Sequence, residues 1–254
     1  MTYFSFRIFV PYGMSLLLAL SACKTAHWQK NNYEPTKFAI DQQIEPDSSI
    51  TNYIAPYKQR LQAQMDTVIG QAAQMLPRSP TDGQSLGGNF FADALLALGQ
   101  GLDPEVSCSL GTKYGIRVDI AQGDIQVGKV FELMPFENFL TVLTLKGEDL
   151  LTLGKFIAKS NGQPVAGMSI KIKNQQLVEM KIQGKAVESN KIYKLVTYDY
   201  LANGGDNIVG ISSPLNRVDT PTRVREGLIA YIESLTKQGI QVNAERDERI
   251  IIVQ

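Results

Sequence analysis

Histidine is almost absent from this chain: one residue of 254, His27, near the N-terminus. Catalytic triads of the Ser-His-Asp and Cys-His types need an imidazole as general base, and zinc sites commonly take histidine ligands. The chain also has no acidic cluster spaced for a carboxylate metal site, and no glycine-rich loop ending in Gly-Lys-Ser or Gly-Lys-Thr. The sequence therefore predicts no catalytic nucleophile and no metal site in the folded body.

Net charge is lacking too, because 25 Lys and Arg side chains balance 25 Asp and Glu side chains. A general binder of nucleic acid or of an anionic membrane surface needs a basic excess, so neither is expected as a partner. Cysteine is nearly as scarce as histidine, with only Cys23 and Cys108. We interpret Cys108 as a buried thiol of the core.

The first 23 residues have the pattern of a secretion signal. Arg7 precedes an apolar run over residues 8–22, and this order of charge and run is typical of signal peptides. A permanent transmembrane helix is the alternative. It is the weaker interpretation, because the run is shorter than the roughly 20 apolar residues that a span needs and contains Pro11 and Gly13.

A cysteine follows the apolar run directly, at the end of Leu-Ser-Ala-Cys in residues 20–23. Small residues before a cysteine at this point resemble the lipobox of bacterial lipoproteins, in which the cysteine becomes the lipidated first residue. We predict that Cys23 is the lipid anchor of an exported protein held in the periplasm or at the outer membrane. A buried thiol is the alternative. The polar segment 24–51 is interpreted as a tether.

Apolar periodicity predicts one mixed α and β domain beyond the tether, over residues 52–254. Helical spacing from Asn52 to Ala72 predicts a long amphipathic helix with a core-facing side. A second helix is predicted from about Asn89. The remaining predictions are a strand at 106–110, a β-rich run at 139–145, a helix at 147–158, a hairpin of 168–172 with 177–182, a strand at 193–198, a helix at 222–235 and closing strands at 240–242 and 250–253.

Three loop motifs adjoin these predicted strands. They are Tyr-Gly-Ile-Arg at 114–117, Pro-Phe-Glu-Asn at 135–138 and Tyr-Leu-Ala-Asn-Gly-Gly-Asp at 200–206. A glycine beside a charged or aromatic residue lets the backbone approach a ligand while the side chain projects into a cleft. Any one of the motifs alone is also ordinary turn material.

The order and spacing of these motifs, over about residues 52–253, resemble the C-terminal domain of the 5'-nucleotidase and UDP-sugar hydrolase family. The resemblance implies an α+β fold of layered mixed β-sheets with flanking helices, and a domain that binds the nucleotide. The matching segments are 88–94, 115–117, 123–125, 135–138, 145–147, 198–206 and 247–250.

The resemblance also implies roles for single side chains. Phe136 and Tyr200 correspond to two aromatic residues that sandwich the base, and such stacking discriminates poorly between bases. Asp206 corresponds to the aspartate that accepts hydrogen bonds from the ribose, and Arg117 to the arginine on the phosphate side. The alternatives are two core rings, a turn-capping aspartate and a solvated arginine. The predicted substrate-binding residues are Arg117, Phe136, Asn138, Tyr200, Asn203, Gly204, Asp206 and Thr112.

One segment departs from the family pattern. Where the family reads Asn-Gly-Gly-Gly-Ile-Arg, this chain has Thr-Lys-Tyr-Gly-Ile-Arg at 112–117. The family's asparagine hydrogen-bonds the base, whereas Thr112 offers a shorter hydroxyl and Tyr114 adds bulk. We expect base specificity to differ, and Lys113 is a candidate for a new phosphate contact.

Full-length members of the family place a metallophosphoesterase domain before this one, and this chain has no room for it. The resemblance thus implies no cofactor in this chain and two divalent metal ions in a separate metallophosphoesterase partner. The first hypothesis is a split 5'-nucleotidase, in which this domain holds a nucleotide or nucleoside while the partner hydrolyses the phosphate. The alternatives are a non-catalytic nucleotide-binding lipoprotein and a relic domain kept as a protein-interaction module.

Overall fold

The computed structural model describes residues 37–41 and 44–253. The predicted signal peptide 1–23 with its lipidation site Cys23, and most of the predicted tether, lie outside the described residues. The chain divides into two units, 1–50 and 51–254. In the first unit the described residues are exposed, and the Asp47 carboxylate accepts the Ser49 N–H at 2.8 Å, which starts a helix inside the predicted tether.

The described chain alternates short strands with helices. All element numbers below follow chain order. The elements are α1 (Ser48–Met65), β1 (Val68–Ala72), α2 (Leu86–Leu102), β2 (Val106–Leu110), β3 (Gly123–Gln126), α3 (Val127–Leu133), β4 (Phe139–Lys146), α4 (Gly147–Lys159), β5 (Val165–Ala166), β6 (Met168–Lys173), β7 (Gln176–Ile182), β8 (Lys185–Ala186), β9 (Ile192–Tyr198), α5 (Asp199–Ala202), β10 (Asn216–Arg223), α6 (Val224–Lys237) and β11 (Ile250–Val253).

Three sheets make up the second unit. A five-stranded sheet has the order β10-β4-β9-β2-β5, a four-stranded sheet has the order β11-β6-β7-β8, and β1 pairs with β3. Both larger sheets are mixed, because β2 and β9 run parallel, as do β6 and β11. Helix α2 packs on the five-stranded sheet, and α4 contacts strands of both larger sheets. This arrangement confirms the predicted α+β fold of layered mixed sheets with flanking helices.

The core lies between these layers. Phe91 and Leu95 of α2 are fully buried, as predicted for this helix. Cys108 on β2 is fully buried as well, which confirms its interpretation as a core thiol. Helix α2 begins at Leu86, slightly before the predicted start, because the Ser85 hydroxyl caps it by accepting the Gly88 N–H at 3.0 Å.

The predicted helix over 52–72 is wrong in its second half. Helix α1 ends at Met65, and Val68–Ala72 is strand β1, antiparallel to β3. The β-branched Val68 and Ile69 suit a strand, and a pairing partner remote in the sequence decides the conformation. Helix α1 buries none of its side chains, so its predicted core-facing side is wrong too.

Two further predictions at the C-terminal end need correction. Residues 240–242 form no strand, because Val242 makes only an isolated bridge to Ala72. The last helix begins at Val224, and the residues before it belong to β10. Strand β10 escapes prediction because it lies at the edge of its sheet and is largely exposed, so it lacks the apolar alternation of a half-buried strand.

Candidate functional site

Strand directions bring the three loop motifs to one edge of the five-stranded sheet. Strands β2 and β9 are parallel neighbours, and β4 lies antiparallel beside β9. The carboxyl ends of β2 and β9 therefore share an edge with the amino end of β4. The loops at this edge line a cleft of about 280 Å³. Its lining consists of Thr112, Tyr114, Gly115, Arg117, Phe136, Asn138, Tyr198, Tyr200 and Asp206.

Phe136 and Tyr200 present their rings to this cleft. Their side chains are 37% and 48% exposed, whereas the core ring of Phe91 is 0% exposed. The alternative that both rings belong to the core is therefore wrong. The guanidinium carbon of Arg117 lies 5.9 Å from the centre of the Phe136 ring, so a cation faces one aromatic wall.

Tyr200 and Asp206 are joined by two hydrogen bonds. The Tyr200 hydroxyl donates to Asp206 Oδ1 at 3.1 Å, and the Asp206 N–H donates to the hydroxyl oxygen at 3.3 Å. The turn between them is tight, since Gly204 has φ 87° and a Cβ on Gly205 would lie 2.5 Å from the Tyr200 ring. The turn thus places a carboxylate at the edge of an aromatic wall.

Two predicted site residues do not line the cleft. The Asn203 side-chain oxygen accepts a hydrogen bond from Arg217 of β10 at 2.7 Å, so it ties the loop to the sheet edge. Gly204 is the left-handed residue of the turn. Six predicted residues are brought together in the cleft: Thr112, Arg117, Phe136, Asn138, Tyr200 and Asp206.

The segment that departs from the family pattern contributes several residues to the cleft lining, Thr112 and Tyr114 among them. Thr112 is buried, and its hydroxyl accepts the Gly115 N–H at 3.0 Å. The ammonium of Lys113 donates to the Ser160 carbonyl at 2.7 Å, at the end of α4, and partial burial lowers its pKa. Lys113 is not among the residues that line the cleft, and its ammonium lies 6.0 Å from the centre of the Tyr114 ring; its phosphate contact stays a prediction.

The cleft also contains residues outside the predicted set of substrate-binding residues. Tyr114 is an exposed aromatic side chain at its rim, and Tyr198 lies buried in its floor. Burial raises the pKa of the Tyr198 hydroxyl, an effect that neighbouring Thr112 partly offsets. This hydroxyl has no hydrogen bond of normal geometry in the described part of the chain. A Cβ on Gly115 would lie 2.9 Å from it, so any larger residue at this position requires a shift of the Tyr198 side chain. The pattern of apolar residues in the sequence does not distinguish Tyr198 from other residues at the ends of strands.

The loop that carries Phe136 is held from behind by α6. The buried Arg225 donates to the Phe136 carbonyl at 3.4 Å and to the Glu137 carboxylate at 2.5 Å. Its guanidinium carbon also lies 4.2 Å from the centre of the Phe131 ring. The hydrogen bond from Arg225 lowers the pKa of Glu137. The Glu137 side of this contact therefore stays charged at neutral pH.

Metal and thiolate chemistry have no candidate groups in the described residues. Within 37–41 and 44–253, no three His, Cys, Asp or Glu side chains are placed to hold a metal ion. Burial raises the pKa of the Cys108 thiol to about 12, so Cys108 is not a thiolate nucleophile at neutral pH. Over the same ranges, no helix has the length and apolar character of a membrane span.

The family of this chain follows from a match between its sequence and a family model. The model of the 5'-nucleotidase C-terminal domain matches residues 68–211, more than half of the chain. The chain belongs to this family. The match includes all three loops of the cleft, so the cleft lies within the family domain.

Individual relatives agree with the family assignment. Protein UshA of Yersinia enterocolitica is 27% identical over 197 residues, which are 76% of this chain and 36% of that protein. Protein UshA of Escherichia coli is 23% identical over 237 residues, 91% of this chain and 42% of that protein. The solved 5'-nucleotidase precursor of Thermus thermophilus superimposes with a TM-score of 0.68 at 25% identity, covering 82% of this chain and 44% of that chain. The chain thus spans about two fifths of the length of these relatives.

Proposed function

We propose that this protein binds a nucleoside or nucleotide in the cleft and acts in nucleotide hydrolysis and salvage with a separate metallophosphoesterase. The observation that carries the proposal is the joint presence of two exposed rings, a carboxylate and an arginine around one cleft of about 280 Å³. Ligand pockets commonly measure about 300–1,000 Å³. At about 280 Å³ the cleft lies at the small end of this range, as expected for a ligand of nucleoside size.

The base is proposed to stack against Phe136 and Tyr200. Both rings are partly exposed to the cleft and free of core packing on that side. Stacking contributes about 1–3 kcal/mol per base and tolerates any base. The Asp206 carboxylate, held by the Tyr200 hydroxyl, is the proposed acceptor for the ribose hydroxyls.

Arg117 is the proposed phosphate ligand. Its guanidinium is permanently charged and presents a fork of donors that suits phosphate oxygens. Arg117 is exposed and lies over the Phe136 ring. A phosphate bound there would stay accessible to a second protein.

The two divalent metal ions are proposed to belong to the partner. The described residues do not fit them, because no set of candidate ligands converges there, and no hydrolytic step is assigned to those residues. Their proposed contribution is orientation of the nucleoside, which can lower a reaction barrier substantially. Export and the Cys23 lipid anchor remain part of the proposal, since a lipid on Cys23 would hold the domain in the bacterial cell envelope.

The test is calorimetric titration of the purified protein with adenosine, AMP and UDP-glucose, beside a phosphate-release assay with and without an exported metallophosphoesterase of the same organism. Phe136→Ala should weaken adenosine binding by about 5- to 150-fold, the equivalent of one lost stacking contact. Tyr57→Ala is the matched control, because Tyr57 is an exposed ring on α1 outside the cleft.

Binding without phosphate release, followed by release when the partner is added, would support the split enzyme. A second function, a nucleotide-binding lipoprotein without an enzymatic partner, is favoured by one observation: the Thr112 hydroxyl is engaged by the Gly115 N–H, at the position where the family has an asparagine that reads the base. Ligand binding with no phosphate release, whether the metallophosphoesterase is present or absent, would support this second function. Absence of binding to all three ligands would contradict both.

A further inference from the structure

A single carboxylate connects the two loops that carry the aromatic walls. Oδ1 of Asp199 accepts the backbone N–H of Phe139 at 3.0 Å and the backbone N–H of Tyr200 at 2.8 Å. Phe139 is the first residue of β4, just after the loop with Phe136, and Tyr200 carries the second ring. One oxygen atom of the Tyr200 loop therefore bonds within its own loop and to the first residue of β4, next to the Phe136 loop.

These bonds lie where the sheet ladder ends. Strands β4 and β9 are paired up to Leu140 opposite Tyr198. Beyond that pair the two strands pass into their loops, and the Asp199 carboxylate accepts the next N–H of β4, that of Phe139. Asp199 is partly buried, so water competes less for these N–H groups than at an open loop.

The other anchors hold only one loop each. Arg225 holds the Phe136 loop to α6, and Arg217 holds Asn203 to β10. In the described part of the chain, no other side chain hydrogen-bonds to the backbone of both loops. Asp199 thus supplies the side-chain link between the Tyr200 loop and the residue next to the Phe136 loop.

We propose that Asp199 is a positioning residue that sets the separation of the Phe136 and Tyr200 rings for a stacked base. The inference rests on the proposed nucleoside recognition and adds a determinant that does not itself touch the ligand. Stacking requires both rings at van der Waals distance from the base. Without the hydrogen bonds from Asp199, the two rings sample wider separations. Ligand binding must then order the loops again, which costs affinity.

Three substitutions of Asp199 test separately whether the position of its acceptor oxygen and its negative charge matter for binding. Asp199→Ala removes both hydrogen bonds and should weaken adenosine binding about tenfold, while Asp199→Asn keeps an acceptor oxygen at the same place and should stay within about threefold of the wild type. Asp199→Glu keeps the charge but displaces the oxygen by one methylene, so it should resemble Asp199→Ala. The fall in adenine absorbance on stacking provides a second readout, and it should shrink in Asp199→Ala and Asp199→Glu only.

The control for general destabilisation is Asp103→Ala. Asp103 likewise accepts a backbone N–H, from Glu105 at 2.9 Å, and it also accepts from Lys194 at 2.6 Å, away from the cleft. This variant should lower the melting temperature without changing adenosine affinity. All measurements use the purified full-length chain.

Wild-type affinity and wild-type absorbance change in Asp199→Ala would overturn the positioning role and leave nucleoside binding intact. If Asp199→Ala does not fold, Asp199→Glu decides in the same way. Equal losses in Asp199→Asn and Asp199→Ala would also overturn the role, since the acceptor position would then not matter. Failure of the wild-type protein to bind adenosine, AMP or UDP-glucose is a different result, because it contradicts the proposed function itself.

Discussion

Removal of one oxygen atom, in Tyr200→Phe, tests whether the tyrosine serves the ribose as well as the base. The hydroxyl donates to Asp206 Oδ1 at 3.1 Å and receives the Asp206 N–H at 3.3 Å. The phenylalanine ring keeps the stacking surface. The variant therefore keeps the proposed stacking on the base and removes the hydrogen bonds to Asp206.

The expected loss of adenosine affinity follows from the solvent exposure of Tyr200 and Asp206. A hydrogen bond to a charged group contributes about 1.5–3 kcal/mol when it is protected from solvent. Tyr200 is 48% exposed and Asp206 is half-buried, so solvent competition reduces the value to about 1 kcal/mol. That figure corresponds to about a fivefold loss of affinity for a ligand that uses Asp206.

Calorimetric titration with adenosine and with 2',3'-dideoxyadenosine measures this effect. Tyr200→Phe should lower adenosine affinity about fivefold and leave dideoxyadenosine affinity unchanged, because the latter has no ribose hydroxyls to bind. Tyr193→Phe is the matched control, since the Tyr193 hydroxyl also accepts a backbone N–H, from Glu188 at 3.0 Å, outside the cleft. It should alter neither affinity.

Equal losses for the two ligands would refute this reasoning, because the hydroxyl would then act on the ring and not through Asp206. Unchanged adenosine affinity would refute it too. The double variant with Asp206→Asn provides a further check. If Tyr200 and Asp206 act as one unit, the double variant should bind adenosine with the same affinity as whichever single variant binds it less tightly.

Four other predictions concern Gly115, Cys23 and Cys108. Gly115→Ala should lower the free energy of unfolding by about 1–3 kcal/mol in urea titrations, because its Cβ would lie 2.9 Å from the Tyr198 hydroxyl; an unchanged midpoint would contradict that close contact. Cys23→Ser should move the protein from the membrane fraction to the soluble fraction and abolish labelling by radioactive palmitate, and continued labelling would exclude Cys23 as the anchor. The Cys108 thiol should not react with a thiol reagent at about pH 8 until the protein is unfolded, since burial raises its pKa to about 12. For the same reason the free energy of unfolding should fall as the pH rises above the pKa of the unfolded thiol, because the native state holds that proton longer.

Much of the cleft could be predicted from the sequence, because its residues lie in short motifs whose order and spacing resemble those of the family. Phe136 and Tyr200 flank apolar runs that do form β4 and β9. Once those strands are neighbours in one sheet, their loops must meet. The fold class could be predicted for the same reason, since buried strands and amphipathic helices carry their periodicity within a few residues.

Features that depend on distant partners could not be predicted. Residues 68–72 continue the helical spacing of α1, yet pairing with β3 makes them a strand. Asn203 stands in the same motif as Tyr200, but Arg217 of an edge strand draws its side chain away from the cleft. The position of Tyr198 in the cleft floor depends on which face of β9 meets the Thr112 loop, and the sequence pattern alone does not specify this.

The cleft has walls from three loops that lie far apart along the chain, at 112–117, 135–138 and 198–206. It is therefore complete only after the long-range pairings of the five-stranded sheet have formed, and such pairings are slow to form. A ligand of this cleft would bind the folded chain and not its precursors. At a hundredfold excess over its dissociation constant, such a ligand stabilises the native state by about 2.7 kcal/mol. The local concentration of that ligand would then set the stability of the folded protein as well as the occupancy of the cleft.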